Sequence, residues 1–161
     1  MRKTQIYLDT SVINFLFADD APEKKAITEE FFRDFVRPGI YDVFVSSVVV
    51  EEILETPDAI HRQRLLEVIP TYNLLLLDFV PVIDEVKQLA RRYLDAGIVP
   101  EKNARDALHV AITTVFEFDV LLSWNFRHLA NINEEVRFLT VNLAQGYTKP
   151  FKIATPYAVC P

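Results

Sequence analysis

Two hydrophobic periods alternate along this chain. Ile6-Tyr7-Leu8 is a short apolar run that stops at Asp9-Thr10-Ser11, the form of a buried strand. The acid and two hydroxyls that follow offer oxygens to cap a helix opening near Val12. Asp9 therefore falls at the carboxyl end of a first strand, the edge of an open α/β sheet where ligands collect, or else serves the helix only as its cap. Ile13, Phe15, Leu16 and Phe17 predict a short helix closed by the turn Asp19-Asp20-Ala21-Pro22. Ile27, Phe31, Phe32, Phe35 and Val36 then recur at helical spacing over 23–37, and Pro38-Gly39 ends that helix.

Val43-Phe44-Val45 is β-branched and aromatic and predicts a second strand, with Ser46-Ser47 capping a helix through Glu55. A helix over 57–68 precedes Leu74 to Leu77, a wholly apolar run that predicts a strand buried on both faces. Over 82–96, Val86, Leu89, Ala90, Tyr93 and Leu94 share one helical face, and Gly97 supplies a left-handed stop. Asn103 can cap a helix through Phe116 whose Ala107, Val110, Ala111 and Val115 face a core. Val120-Leu121-Leu122 is a fourth buried strand; a helix over 133–143 and an edge strand over 151–154 close the chain. Strands alternating with helices imply parallel pairing, so the expected fold is α/β, three layers of α/β/α around a central parallel sheet.

Length changes this picture little: 161 residues suit one domain, 1–161. Charge narrows the function. With 17 basic and 23 acidic residues, net −6, the chain is not one that coats nucleic acid by bulk electrostatics. A local basic groove stays open, and carboxylates can be gathered to hold divalent cations that meet a phosphodiester. Gly39, Gly97 and Gly146 are too scattered for a phosphate-cradling loop or a dinucleotide fingerprint. Cys160, the one cysteine, excludes a disulfide framework and a cysteine metal site. The opening Met1-Arg2-Lys3-Thr4 lacks the apolar region of a secretory signal, and no apolar run approaches the roughly 18 residues of a membrane helix. The expected location is the cytoplasm, with no membrane contact.

Four polar positions fall at strand ends or on helices that can face them: Asp9, Glu51 or Glu52, Asp106 and Asn125. Asp106 stands beside the inward-facing Ala107 and Leu108, and a carboxylate so placed needs a partner. Arg105, the helix dipole, or a metal ion shared with Asp9 would each serve. His109, one helical turn past Asp106, suits either a hydrogen-bonded core position or a general acid. Trp124 suits a core or a base-stacking role.

The stretches Tyr7-Leu8-Asp9-Thr10-Ser11-Val12, Val45-Ser46-Ser47-Val48-Val49-Val50-Glu51-Glu52, Asp106-Ala107-Leu108-His109-Val110-Ala111 and Leu121-Leu122-Ser123-Trp124-Asn125-Phe126 resemble, in order and spacing, the motifs of PIN-domain proteins. That family includes the toxin ribonucleases of bacterial toxin–antitoxin pairs. The resemblance spans 6–126, with a C-terminal helix and tail over 127–161 outside it. It implies a Mg²⁺- or Mn²⁺-dependent nuclease acting on RNA. Asp9 matches the family's first acid, Asp106 its third, and Glu52, six residues after Ser46, its second. Glu52 also shares a helical face with Val48 and Val49, whereas Glu51 lies with Ser47, Leu54 and Glu55. Asn125 stands where the family often has an acid, in a form similar to that of a subgroup in which Asn is usual.

The carried-over roles follow the chemistry of phosphodiester hydrolysis, in which a hard cation neutralises phosphate charge and lowers the pKa of bound water. Asp9 and Asp106 would hold the ion, Glu52 would orient water or bind the ion through it, and Asn125 would add a neutral oxygen. Thr10, Ser11 and Ser123 would fix the carboxylates, and Arg127, with His128, Arg62, Arg64 or Arg105, would meet the RNA backbone. An antitoxin protein and a second copy of the chain are the expected partners, the latter because Phe31, Phe32 and Phe35 cover more than one face of a helix. A second reading is a catalytically silent module that grips RNA or a protein, favoured by Asn125. A third, an aspartyl-phosphate enzyme with Asp9 as nucleophile, is opposed by Ser11, which stands where one such family needs a second acid.

Overall fold

The computed structural model describes residues 2–160. Five strands, β1 (Gln5–Leu8), β2 (Asp42–Ser46), β3 (Leu75–Leu77), β4 (Val120–Leu122) and β5 (Lys152–Ala154), form one parallel sheet in the order β3-β2-β1-β4-β5. Side chains alternate between two cores, as the period of a strand requires. Ile6, Leu8, Val43, Val45 and Leu122 enter one core, and Tyr7, Leu121 and Ile153 enter the other. The first core is covered by α1 (Thr10–Phe15), α2 (Pro22–Glu30) and α4 (Ala59–Thr71), the second by α5 (Ile83–Asp95), α6 (Ala104–Val115) and α7 (Ile132–Ala144). The three-layer α/β/α fold expected from the alternation of elements is therefore the observed one. A helix α3 (Ser47–Leu54) contributes to both cores through Val48 on one side and Val49 and Ile53 on the other. A short α8 (Pro156–Val159), absent from the sequence expectation, ends the described chain.

The chain leaves β1 toward β2 and β3 on one side and later returns to place β4 and β5 on the other. The strand order thus reverses at β1, and the crevice at the carboxyl end of such a point is where open α/β sheets bind ligands. Asp9 N–H continues the ladder onto the Leu122 carbonyl at 3.2 Å, and Ser123 N–H onto that of Ala154 at 2.9 Å. Both residues are thereby fixed at this edge.

Four local expectations change. The helix expected over 23–37 begins at Pro22 and turns to π geometry over Phe31–Val36, where Arg37 N–H reaches the Phe32 carbonyl at 2.9 Å. The wider turn brings Phe31, Phe32 and Val36 inward together, and both phenylalanines are fully buried. Their rings meet edge to face at 5.3 Å, Phe32 packs on Tyr72 at 4.8 Å, and Phe35 stacks on Tyr41 at 5.9 Å. The aromatic excess that suggested a homodimer is taken up by the chain's own core. Next, β3 is an edge strand and not a buried one: Leu75 and Leu76 are 47% and 60% exposed, while Leu74 and Leu77 pack inward. The helix expected over 57–68 runs from Ala59 to Thr71, capped by Asp58, whose carboxylate accepts Ile60 and His61 N–H at 2.9 and 3.1 Å. Asn103 offers no side-chain cap; a short 3-10 turn, Glu101–Asn103, leads into α6 instead.

Trp124 is buried, and its indole N–H donates to Thr28 Oγ at 2.9 Å, which itself donates to the Lys24 carbonyl. The core position holds for this ring and not the base-stacking one. The bond fastens α2 to the loop after β4. Thr28→Val keeps the shape and leaves the indole N–H buried without a partner, so a loss of about 1–3 kcal/mol is expected in urea unfolding. A midpoint equal to wild type would show that the bond contributes nothing net.

Candidate active site

The starts of α1 and α6, the last turn of α3 and two strand ends meet in one cleft of about 270 Å³. Asp9, Thr10 and Ser11 reach it from the β1–α1 junction, Glu52 from α3, Asp106 and His109 from α6, and Asn125 from the loop after β4. Ser123 lies beneath, fully buried, and Arg127 is exposed and does not line the cleft. Glu51 is exposed and does not line the cleft.

Asp9 is both helix cap and cleft carboxylate. Its Oδ1 accepts Ser11 N–H at 3.0 Å and the Ser11 hydroxyl, and its Oδ2 accepts the Ser123 hydroxyl. Ser11 Oγ also accepts Trp124 N–H at 2.9 Å, and Ser123 Oγ accepts Asn125 N–H at 2.9 Å. The two hydroxyls thus tie the acid to the β4 loop. Burial raises the Asp9 pKa, against the pull of His109 and the two serines.

Glu52 is held through one oxygen. Its Oε1 accepts the Thr10 hydroxyl at 2.9 Å and lies 2.7 Å from His109 Nε2. The other ring nitrogen, Nδ1, is 2.8 Å from the Tyr7 hydroxyl, which is 2.6 Å from Ser46 Oγ, the cap of α3. With Nδ1 bound to Tyr7, Nε2–H is free to donate to the carboxylate whether the ring is neutral or charged. Burial pulls the His109 pKa down, but the bond and charge of Glu52 outweigh it and the net shift is upward. Burial likewise pushes Glu52 up, and the same contact, with Thr10, carries it below its ordinary value. His109 is therefore a buried strut of Glu52, combining the core position with a place in the cleft wall. Ser46 is the helix cap the sequence offered, but its link through Tyr7 to His109 escaped the sequence reading. The available signal was a tyrosine in a buried strand, whose hydroxyl needs an interior partner.

Arg105 forks onto Glu55, and among the described residues Asp106 forms no ion pair. Its Oδ2 accepts Asn125 Nδ2 at 3.2 Å, and the Asn125 amide oxygen accepts His128 N–H at 3.0 Å. Asn125 thus presents its donor, not its oxygen, to Asp106. Burial pushes the Asp106 pKa up to about 6, with the charges of Asp9 and Glu52 adding to it and His109 opposing.

The donor set suits a hard divalent cation: of the four carboxylates that line the cleft, Glu55 is taken by Arg105, and of the other three, Asp9 and Asp106 are disfavoured as bare anions. Among the described residues no three acid, histidine or cysteine groups stand close enough to make a finished cage. Mg²⁺ keeps several of its waters and is ordinarily held by one or two carboxylates, so an open arrangement fits it.

The family model for the PIN domain matches residues 6–123, and the chain belongs to the PIN-domain family. Its nucleases generally use divalent metal ions. The fold is similar to that in the crystal structure of VapBC2 from Rickettsia felis bound to a DNA fragment from their promoter. The match has a TM-score of 0.57 at 13% identity, and it covers 94% of this chain and 98% of that one. No curated protein matches the chain. No described helix is long and apolar enough to cross a membrane.

Proposed function

We propose that this protein is a divalent-metal-dependent endoribonuclease and the toxin of a toxin–antitoxin pair. The observation that carries the nuclease reading is the convergence of Asp9, Glu52 and Asp106 at the sheet's reversal point, with burial and mutual repulsion raising the pKa of Asp9 and Asp106. Asp9 and Asp106 would hold Mg²⁺ or Mn²⁺. When bound, such a cation supplies charge neutralisation on the phosphodiester and acidifies water for attack at phosphorus. Thr10 and His109 occupy one oxygen of Glu52 and leave Oε2 to orient that water. Ser11 and Ser123 fix Asp9, and Asn125 fixes Asp106. The toxin reading is supported by the likeness to VapBC2, solved on promoter DNA, and the antitoxin would be a separate protein.

The test is cleavage of a fluorescent single-stranded RNA by purified protein in Mn²⁺, in Mg²⁺ and in EDTA. Cleavage confined to the metal-containing reactions is expected. Tight RNA binding with no cleavage in either metal would favour the silent module, the reading to which Asn125 lends support.

Asn125→Asp discriminates the two placements of that residue. A carboxylate in its place would face Asp106 without a donor, so the metal-free protein is expected to melt lower and to bind Mn²⁺ at least several-fold more tightly. Calorimetric affinity equal to wild type would separate Asn125 from the metal site.

A further inference from the structure

Lys24, near the start of α2, has its ammonium over three aromatic rings: 5.1 Å from the centroid of Phe126, 5.7 Å from Phe15 and 5.7 Å from Trp124. The rings form one cluster, Phe15 against Trp124 at 5.5 Å and Trp124 against Phe126 at 6.2 Å. Trp124 is buried, but Phe126 is 47% exposed. Phe15 follows Asn14 and Phe126 follows Asn125, and both asparagines line the cleft, so the cluster adjoins its rim. The Trp124–Thr28 bond locks α2 to the β4 loop one turn from Lys24, which fixes the ammonium relative to Asn125.

Charge makes this placement informative. A cleft with four carboxylates, one of them paired with Arg105, on a chain of net −6 repels a polyanion, so a cation free of acid partners at its rim counts. Arg105 lines the cleft but is forked onto Glu55, and Lys25 is paired with Asp19 at 2.7 Å. Lys24 forms no ion pair among the described residues. An ammonium steadied by π faces keeps its charge available to an anion, and an exposed phenylalanine face accepts any base by stacking.

We propose that Lys24 and Phe126 form a nucleotide subsite beside the cleft, taking a single-stranded RNA with one base stacked on Phe126 and an adjoining phosphate on Lys24. The subsite rests on the reading of the cleft as an RNA site. Phe15 and Trp124 hold the ammonium and do not touch the base. Because a ring stacks on every base and an ammonium reads only charge, the subsite adds affinity without base preference.

Fluorescence anisotropy of a labelled oligouridylate on the full-length protein in EDTA tests this, at several NaCl concentrations, beside an abasic strand of equal length. Phe126→Ala is expected to weaken oligouridylate about tenfold with an unchanged salt slope, to leave the abasic strand unaffected, and to be rescued by Phe126→Tyr. Lys24→Gln is expected to weaken both strands and to lower the salt slope by about 0.7. Circular dichroism melts of each variant guard against misfolding. Wild-type affinity in folded Phe126→Ala and Lys24→Gln, with Mn²⁺-dependent cleavage intact, overturns the subsite and leaves the nuclease standing. A wild type that neither binds nor cleaves RNA overturns both. Oligoglutamate that competes as well as RNA, and loses its grip in Lys24→Gln, would assign the face to an acidic peptide and overturn the RNA subsite.

Discussion

Asp9→Asn and Asp106→Asn are each expected to slow Mn²⁺-dependent RNA cleavage by roughly a thousandfold while leaving a folded protein. Each change keeps the side chain's shape and removes one of the negative charges that would hold the ion. A cation's share of transition-state stabilisation is several kcal/mol, and about 4 kcal/mol corresponds to a thousandfold. Folding should survive for different reasons in the two cases. Asn is as good an N-cap as Asp, so α1 keeps its start, and the Ser11 and Ser123 hydroxyls can turn to suit an amide. At position 106 an amide oxygen can still accept from Asn125. Single-turnover cleavage beside thermal melts decides the matter. A folded Asp9→Asn or Asp106→Asn protein that retains a tenth or more of wild-type cleavage removes that residue from the metal set.

The frame of the fold was legible because parallel strands advertise themselves: Ile6 to Leu8, Val43 to Val45 and Val120 to Leu122 are short apolar runs that end in polar residues at the sheet's carboxyl edge. Order within the sheet was not written in any one strand. Leu74 to Leu77 reads as an interior run, and only the pairing of β3 with β2 alone makes two of its leucines an exposed edge. The π turn was equally hidden. Phe31, Phe32 and Phe35 looked like surplus hydrophobics for one α-helical face, and a single widened turn removed the surplus. The candidate site divides in the same way. Its acids stand in places that sequence can locate, Asp9 at a strand end, Asp106 in the first turn of its helix and Glu52 on the inward face of α3. Their partners do not, since the contact from Tyr7 to His109 spans 102 residues and two elements, and Asn125's orientation is set by His128 N–H as much as by Asp106. Residue type marked what could be charged, while tertiary packing decided what each charge touches.

Metal-free protein should melt lower than its own Asp106→Asn variant above pH 6.5, and the two should converge near pH 4. The Asp106 carboxyl is pushed up from its ordinary 3.8 to about 6 by burial and by the neighbouring Asp9 and Glu52. Below pH 3.8 the group is protonated in both folded and unfolded chains and its contribution is fully present. Between 3.8 and 6 the folded protein keeps a proton that the unfolded chain has released, so stability falls as pH rises; above 6 the penalty is constant. A shift of this size corresponds to on the order of 2–3 kcal/mol, or roughly 5–10 °C in melting temperature for a domain of this length. Glu52, held below its ordinary value, acts with the opposite sign below pH 4.5, and His109, held above 6.5, acts with the same sign as Asp106 at higher pH. Both remain in the variant, and the Asp106 charge is the smallest of the influences that raise His109, so the difference between the two proteins reports chiefly on position 106. Saturating Mn²⁺ should reverse the order, raising wild type above Asp106→Asn, because an ion that binds only the folded state with its full set of acids stabilises that state by mass action. A difference in melting temperature that stays the same from pH 4 to 8, or that Mn²⁺ leaves unaltered, would mean that Asp106 is an ordinary solvated carboxylate and not a group held under repulsion for a cation.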